Sequence, residues 1–175
     1  MSGHNKWTQI KRQKERTDTA KSKIFGKYAK LITDAARKAR GNSSDPALKA
    51  AIEKARSFNM PNENIERAIK RATETEEAME RVIYEAYGPG GCALIIEVLT
   101  SNRNKTAQEI KHILSEQGFA LASPGSAAWA FSKTAESYSP QTTIPLSEED
   151  LKKLKALADA LEASDEVQEV FSNAE

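Results

Sequence analysis

The first sixteen residues carry side chains that could bind a polyanion. Five basic residues surround an aromatic residue and a histidine in MSGHNKWTQIKRQKER. Lysine and arginine neutralise phosphates, and an aromatic ring can stack on a nucleobase. The candidate contacts of this N-terminal arm are His4, Lys6, Trp7, Lys11, Arg12, Lys14 and Arg16. A second interpretation stays open, in which Trp7 and Ile10, three residues apart, anchor the arm on a helical bundle while its lysines are merely solvated.

A second group of basic residues follows at helical spacing. Lys23, Lys27 and Lys30 trace one face of a helix predicted from about Thr17 to Arg40, and a stripe of apolar residues occupies another face. Lys21 lies near the start of the same helix. These four lysines extend the predicted phosphate-binding surface beyond the arm.

The sequence GPGG at 88–91 suggests a phosphate loop, because the backbone amides of glycines can cradle an anion. A nucleotide P-loop ends in Gly-Lys-Ser/Thr and opens a helix, whereas Cys92 opens a β-rich run here. We therefore expect a hairpin turn. Three glycines around a proline exceed what an ordinary hairpin needs, so close approach to a ligand stays an alternative. The possible functional loops are Gly88, Pro89, Gly90 and Gly91, and after the next strand Asn102, Arg103 and Asn104.

Catalytic and metal sites are not predicted. The chain has one cysteine and two histidines, so it cannot assemble a multi-ligand thiolate or imidazole site. We name no catalytic residue, no metal ligand and no cofactor, and we expect a protein that acts by binding. An enzyme that uses the groove between two domains is the weakest alternative, because no set of acid, base and nucleophile is recognisable.

The charge of the chain is divided between its two halves. Residues 1–73 hold 18 basic and 7 acidic side chains, whereas residues 74–175 hold 8 and 18. This asymmetry favours a basic part that meets a polyanion, although two solvated surfaces that attract each other would give the same pattern. The sequence has no apolar run long enough to span a membrane and no signal-peptide core, which predicts a cytoplasmic protein.

The elements that position these residues differ between the halves. The basic half predicts three amphipathic helices: Thr17 to Arg40, a second from Pro46 to Asn59 with Asp45 as its N-cap, and a third opened by Pro61. The acidic half predicts strands, with two helices at Asn104–Glu116 and after the N-cap Ser147. The predicted strands are 82–87, 92–100, 119–122, 127–131, 142–146 and 167–171.

These elements predict an α+β fold. A three-helix basic bundle that carries the arm occupies residues 1–78, and an antiparallel sheet domain with helices on one face occupies residues 79–175.

Several long segments resemble one known family. They are MSGHNKWTQIKRQK, IFGKYAKLITDAARKA, AIEKARSFNMPNENIERAIKR, YEAYGPGGCALIIEVLTSNRNKTAQEIK and PGSAAWAF. They are similar to the YebC/PmpR family, to which the mitochondrial translational activator of cytochrome oxidase subunit one also belongs. The resemblance implies a helical N-terminal domain, α/β domains, no cofactor and a role in gene expression. It also implies that a segment between Lys133 and Ser139, the family's inserted third domain, is missing from this chain.

The resemblance implies two functions. The first is a ribosome-associated translation factor that binds ribosomal RNA and relieves stalling at proline-rich stretches. The second is a DNA-binding transcription regulator. The sequence lacks a helix-turn-helix pattern with base-reading Asn, Gln and Arg on one face, which favours RNA or a non-specific grip on phosphates. The expected partner is a nucleic acid, either ribosomal RNA or DNA, and the ribosome is a second candidate partner. No binding to a membrane is expected.

Overall fold

The computed structural model describes Trp7 and residues 18–75, 77–134 and 137–175. These residues fall into two compact units. The helical unit is the described part of Arg16–Glu80, and the sheet unit combines Arg81–Glu175 with Trp7. Trp7 therefore lies in the sheet unit, whereas the sequence predicted it with the helical bundle.

The helical unit contains the three predicted helices, which are thereby confirmed. They are α1 (Asp18–Ala39), α2 (Pro46–Ser57) and α3 (Asn62–Glu74). The N-cap of α2 is also as predicted: the carboxylate of Asp45 accepts a hydrogen bond from the backbone nitrogen of Leu48 at 3.0 Å. Pro61 precedes α3 as its N-cap residue.

Small side chains form much of the core of this bundle. Alanines of all three helices are buried with a few larger residues, which lets the helix backbones approach closely. The core residues are Ile32, Ala35, Ala36, Ala39, Leu48, Ala55, Met60, Ile65 and Ala68. The buried hydroxyl of Thr33 on α1 donates to the carbonyl oxygen of Ala68 on α3 at 2.9 Å.

The sheet unit is built on four strands in the order β3-β1-β2-β6. These strands are β1 (Glu80–Tyr87), β2 (Ala93–Thr100), β3 (Leu121–Ala122) and β6 (Val167–Ser172). Two helices, α4 (Arg103–Glu116) and α5 (Glu148–Glu162), and a second sheet of β4 (Phe131–Lys133) and β5 (Tyr138–Pro140) complete it. The α+β fold class is confirmed.

Strand β2 is the centre of the core. Leu94, Ile96 and Val98 pack with buried residues of α4 and α5 on one face of the sheet. Ala93 and Ile95 point to the opposite face, as alternation along a strand requires, and pack with Ala130, Phe131 and Phe171. Helices therefore lie on one face, and the segment that leads into β4 covers the other face.

Two predicted strands are wrong or shortened for local reasons. Residues 127–131 do not form a strand: Ala128–Ala130 is a single 3₁₀ turn, and β4 begins only at Phe131. The backbone nitrogens of residues 127 and 128 donate to the carboxylate of Glu85, which removes them from strand pairing. The strand predicted at 119–122 shrinks to Leu121–Ala122, because the nitrogen of Phe119 donates back to Leu114 at the end of α4.

The strand predicted at 142–146 is also wrong. This segment makes only an isolated parallel bridge between Ile144 and Ala174, and the strand lies earlier, at β5. The helix predicted after Ser147 and the last strand are confirmed as α5 and β6. The Ser147 hydroxyl caps α5 by accepting from the nitrogen of Asp150 at 3.1 Å.

Candidate nucleic-acid interface

The four predicted lysines of α1 lie in its first half. Lys23, Lys27 and Lys30 follow i, i+4, i+7 spacing and so share a helix face. Lys21 and Lys23 are exposed, and Lys27 and Lys30 are half-buried. Lys23 and Lys30 are about 10 Å apart along the helix axis, close to three nucleotide steps of one strand.

Lys38 and Arg37, the basic residues in the last turn of α1, have partners within the helical unit. Asp34 is buried and pairs with Lys38 at 2.6 Å. Arg37 donates to the carbonyl oxygen and the hydroxyl of Thr75 at 2.9 and 2.8 Å, and to the carbonyl oxygen of Glu77. Arg37 therefore binds the segment that follows α3, and Lys38 is paired on α1 itself.

Helix α3 adds basic residues that were not among the predicted contacts. Arg67, Lys70 and Arg71 are exposed on its polar face. Lys70 lies 3.8 Å from Glu74, and both side chains are exposed, so this pair contributes little. Arg67 and Arg71 form no ion pair with any residue that the structure describes.

Most of the N-terminal arm lies outside the described residues. This applies to the predicted contacts His4, Lys6, Lys11, Arg12, Lys14 and Arg16, which stay predictions. Trp7 is described and is only 5% exposed. It belongs to the buried cluster of the sheet unit, with Val82, Ala86 and Leu94. The prediction that Trp7 stacks on a nucleobase is wrong, because its ring is packed in the protein core. Trp7 is an anchor, but in the sheet unit and not on the helical bundle.

The GPGG segment forms the expected turn between β1 and β2. The nitrogen of Gly88 donates to the carbonyl oxygen of Cys92 at 2.8 Å, and the nitrogen of Cys92 donates to Pro89 at 3.3 Å. Gly90 and Gly91 both have positive φ, at 65° and 79°, which glycine adopts without the strain that a side chain adds.

Packing explains two of the three glycines. A Cβ at Gly90 would lie 2.5 Å from Leu146, and one at Gly88 would lie 3.1 Å from both Cys92 and Leu94. At Gly91, by contrast, a Cβ would meet nothing within 4 Å among the described residues. Only Gly91 presents an open, exposed backbone face that a ligand could approach.

The second predicted loop is partly a helix cap. The side-chain oxygen of Asn102 accepts from the backbone nitrogen of Lys105 at 3.0 Å, and the backbone nitrogen of Asn102 donates to the Thr100 hydroxyl at 2.9 Å. Asn102 therefore has a structural role at the start of α4. Arg103 and Asn104 are exposed in the first turn of that helix. Strand β2 separates this loop from the GPGG turn by about 26 Å, so the two loops do not form one pocket.

Sequence reasoning missed an aromatic pair on the sheet unit. Trp129 is 59% exposed, and its indole nitrogen donates to the Tyr87 hydroxyl at 3.0 Å. That hydroxyl donates to the carbonyl oxygen of Ser126. A strand prediction over 127–131 gave no reason to expect an exposed ring here.

The described residues show neither a metal cluster nor a membrane span. Among them, no three His, Cys, Asp or Glu side chains are grouped so that they could hold a metal ion. No described helix is long and apolar enough to cross a bilayer. Cys92 is fully buried, and burial raises the pKa of its thiol, which makes it a poor nucleophile.

Two family models together match nearly the whole chain. The TACO1/YebC protein N-terminal domain matches residues 5–75. The TACO1/YebC second and third domain matches residues 79–137 and 133–174. The chain belongs to the TACO1/YebC family. These matches confirm the resemblance to the YebC family that we saw in the sequence motifs.

Individual TACO1/YebC relatives agree with this assignment. A probable transcriptional regulatory protein of Fervidobacterium nodosum is 39% identical over 235 positions, which cover 99% of this chain and 93% of the relative. A protein of the same description from Halothermothrix orenii is 44% identical over 169 residues, covering 95% of this chain and 65% of the relative. The crystal structure of a conserved hypothetical protein from Aquifex aeolicus matches with a TM-score of 0.77 and 29% identity, covering 90% of this chain and 91% of that one.

This TACO1/YebC chain is shorter than its relatives. It spans about two thirds of the length of the Halothermothrix protein. The alignment with the Fervidobacterium protein has 235 positions and this chain has 175 residues, so at least 60 positions of that alignment have no residue here. The two segments matched by the second family model meet at residues 133–137. We infer that the missing segment belongs at this place.

Proposed function

We propose that this chain is a non-catalytic, nucleic-acid-binding regulator of gene expression that acts in the cytoplasm. In its most specific form, the proposal is a ribosome-associated translation factor that binds ribosomal RNA and relieves stalling at proline-rich stretches. The resemblance to the YebC/PmpR family suggests this form.

The observation that carries the proposal is the concentration of positive charge on the helical unit. Residues 18–73 hold 13 basic and 6 acidic side chains, whereas residues 81–175 hold 8 and 14. Within the helical unit, the lysines of α1 lie along one stretch of helix, and Arg67 and Arg71 extend the positive surface on α3. A surface of this kind binds phosphates by releasing condensed counterions.

The proposed contacts on the described residues are few. They are the four lysines of α1, the open backbone of Gly91, and the exposed side chains of Arg103 and Asn104. The basic residues of the arm join them as a proposal from the sequence. Because the GPGG turn and the Asn102–Asn104 loop lie at opposite ends of β2, they suit a large polyanionic surface better than a small ligand.

A second candidate function is duplex DNA binding as a transcription regulator. The observation in its favour is that the relatives from Fervidobacterium and Halothermothrix are described as probable transcriptional regulatory proteins. Both candidates use the same basic surface, so charge alone does not choose between them.

Crosslinking in living cells separates the two candidates. The protein would be crosslinked to its bound nucleic acid, purified under denaturing conditions and the attached nucleic acid sequenced. We expect enrichment of ribosomal RNA, whereas enrichment of promoter DNA would establish the second candidate instead. A matched variant with Lys21, Lys23, Lys27 and Lys30 changed to Gln should lose the enrichment, and equal recovery from this variant would remove α1 from the interface.

A further inference from the structure

A groove in the helical unit separates the first half of α1 from α3. Its volume is about 180 Å³. The α1 wall consists of Phe25, Gly26 and Ala29. The opposite wall is Met60 with the α3 residues Asn64, Arg67, Ala68 and Arg71. None of these eight residues is acidic, and the groove has both an apolar floor and a basic rim.

Gly26 is an unexpected residue for the wall of this groove. It lies inside the long helix α1, where glycine is less favourable than alanine because it loses more backbone freedom on folding. Its φ is not in the left-handed region that would require glycine. A Cβ at this position would meet nothing within 4 Å among the described residues. Packing within the described chain therefore does not explain Gly26, whereas close approach of a ligand to the helix backbone does.

The chemistry of the lining suits a flat aromatic ligand that carries a negative charge. The ring of Phe25 and the thioether of Met60 offer apolar contact to a planar ring. Asn64 offers a hydrogen-bond donor and an acceptor on one amide. Arg67 and Arg71 are one helical turn apart, are exposed, and have no acidic partner in the part of the chain that the structure describes.

We infer that this groove binds one unpaired nucleotide of single-stranded RNA. The base enters between α1 and α3 beside Phe25 and Met60, with Asn64 at its polar edge. The 5′ or 3′ phosphate lies at the rim on Arg67 and Arg71. This inference rests on the proposed function and names the form of nucleic acid that the helical unit takes.

The dimensions of the groove favour an unpaired base over a duplex. A cavity of roughly 150 Å³ accepts a benzene ring, so a groove of about 180 Å³ accepts one base ring system. A base inside a duplex is stacked and paired, and it cannot enter a concave site without being flipped out. A helix that reads a duplex must protrude into the major groove, whereas Asn64, Arg67 and Arg71 line a recess beside α1.

The first test fills the groove without disturbing the fold. Gly26→Leu places a larger side chain where the Cβ has open space, and leucine is a better helix former than glycine, so the variant should melt no lower than the unmodified protein. We expect its affinity for a fluorescent single-stranded RNA, measured by anisotropy, to fall tenfold or more. Its affinity for duplex DNA of the same length should stay within twofold. Ala50→Leu, at an exposed position of α2 outside the groove, is the matched control and should bind both like the unmodified protein.

The second test changes the rim and locates the RNA. Arg67→Gln with Arg71→Gln, both at exposed positions, should lower the dependence of log affinity on log salt by about 0.7 for single-stranded RNA, because the two arginines share one phosphate. An RNA carrying 5-iodouridine should crosslink on illumination to Phe25 or Met60 in the full chain, and Gly26→Leu should abolish this crosslink.

The outcomes separate this inference from the proposed function. If Gly26→Leu binds single-stranded RNA as well as Ala50→Leu does, and the crosslinks map elsewhere, the groove is not a nucleotide site although nucleic-acid binding stands. If Gly26→Leu loses affinity for duplex DNA in the same proportion as for single-stranded RNA, the groove belongs to a surface that binds phosphates non-specifically, and the inference is wrong. If the unmodified protein binds neither nucleic acid at low salt, the proposed function itself fails.

Discussion

The carboxylate of Glu85 lies 2.8 Å from the backbone nitrogen of Ala127, 42 residues further along the chain. The same carboxylate accepts from the nitrogens of Gly125 and Ala128 at 2.6 and 2.8 Å. Glu85 is buried, and charge-assisted hydrogen bonds of this kind are stronger than neutral ones. The three bonds fold the segment back over the sheet and leave Trp129 exposed at its end.

Replacing Glu85 with glutamine should destabilise the sheet unit. The new amide group would point a donor at one or more of the three backbone nitrogens, which would leave buried N–H groups without acceptors. We expect a loss of about 1–3 kcal/mol in the free energy of unfolding, measured by urea denaturation. Glu149→Gln is the control, because Glu149 pairs with Lys153 at 2.8 Å with both side chains exposed, and such surface pairs contribute about 1 kcal/mol or less. Equal losses in the two variants would contradict the role given to Glu85.

Elements whose causes lie within a few residues of one another could be predicted from the sequence. Helices α1 to α3 were predictable because their apolar periodicity and caps, such as Asp45 before Pro46, lie within a few residues of one another. The turn at 128–130 was not, because its cause is Glu85, which is distant in sequence. The short apolar run at 127–131 was predicted to form a strand, and tertiary hydrogen bonding overrode that tendency.

In the candidate site, too, only the features that depend on nearby residues could be predicted from the sequence. Lys23, Lys27 and Lys30 could be assigned to one face from their spacing alone, since helical geometry fixes it. The burial of Trp7 could not, because basic neighbours suggest an exposed arm while the partners Val82 and Leu94 come from another part of the chain. The groove could not be predicted from the sequence either, since Phe25 and Arg67 come together only when α1 packs on α3.

Removing the α1 lysines should reduce the salt dependence of binding. Changing Lys21, Lys23, Lys27 and Lys30 to Gln removes up to four phosphate contacts, each of which contributes about 0.7 to the slope of log affinity against log salt on a single strand. We expect the slope for single-stranded RNA to fall by up to about 2.8, measured by anisotropy at several salt concentrations. Lys152→Gln, an exposed lysine of the sheet unit, should leave the slope unchanged. The same slope in both variants would place the interface elsewhere.

Cys92 should report on unfolding through its reactivity. Burial raises the pKa of its thiol, and hydrogen bonds with Ser172 and Gly88 oppose this only in part. We expect iodoacetamide to leave the native protein unmodified at neutral pH and to label it once urea unfolds the sheet unit. Rapid labelling of the native protein would contradict the burial of this residue.

The raised pKa of Cys92 also gives the sign of a pH effect on stability. The native state holds the thiol proton more tightly than the unfolded state, so stability from this group is present below the ordinary cysteine pKa of about 8.5 and falls as pH rises above it. The urea midpoint should therefore drop between neutral pH and about pH 9.5. The corresponding drop should be smaller in Cys92→Ala, and an equal drop in both proteins would assign the effect to other groups.

Gly91→Ala should separate a structural role of the GPGG turn from a functional one. The residue has a φ of 79°, so alanine there should cost about 1–2 kcal/mol of stability through backbone strain. Gly118→Ala is a matched control, because Gly118 has a φ of 84° and its Cβ would also meet nothing within 4 Å among the described residues. Thermal denaturation should show similar losses for the two variants.

Activity should then differ between these equally destabilised proteins. At Gly91 the added methyl would project from an exposed turn into the space that a ligand backbone would occupy, whereas at Gly118 it would follow the end of α4. We expect Gly91→Ala to lose nucleic-acid binding and rescue of translation at proline-rich stretches while it remains folded, and Gly118→Ala to keep both in proportion to its folded fraction. If Gly91→Ala behaves like Gly118→Ala in both assays, the glycines of this turn serve only the hairpin: Gly88 and Gly90 through packing against Leu94 and Leu146, and Gly91 through its backbone conformation.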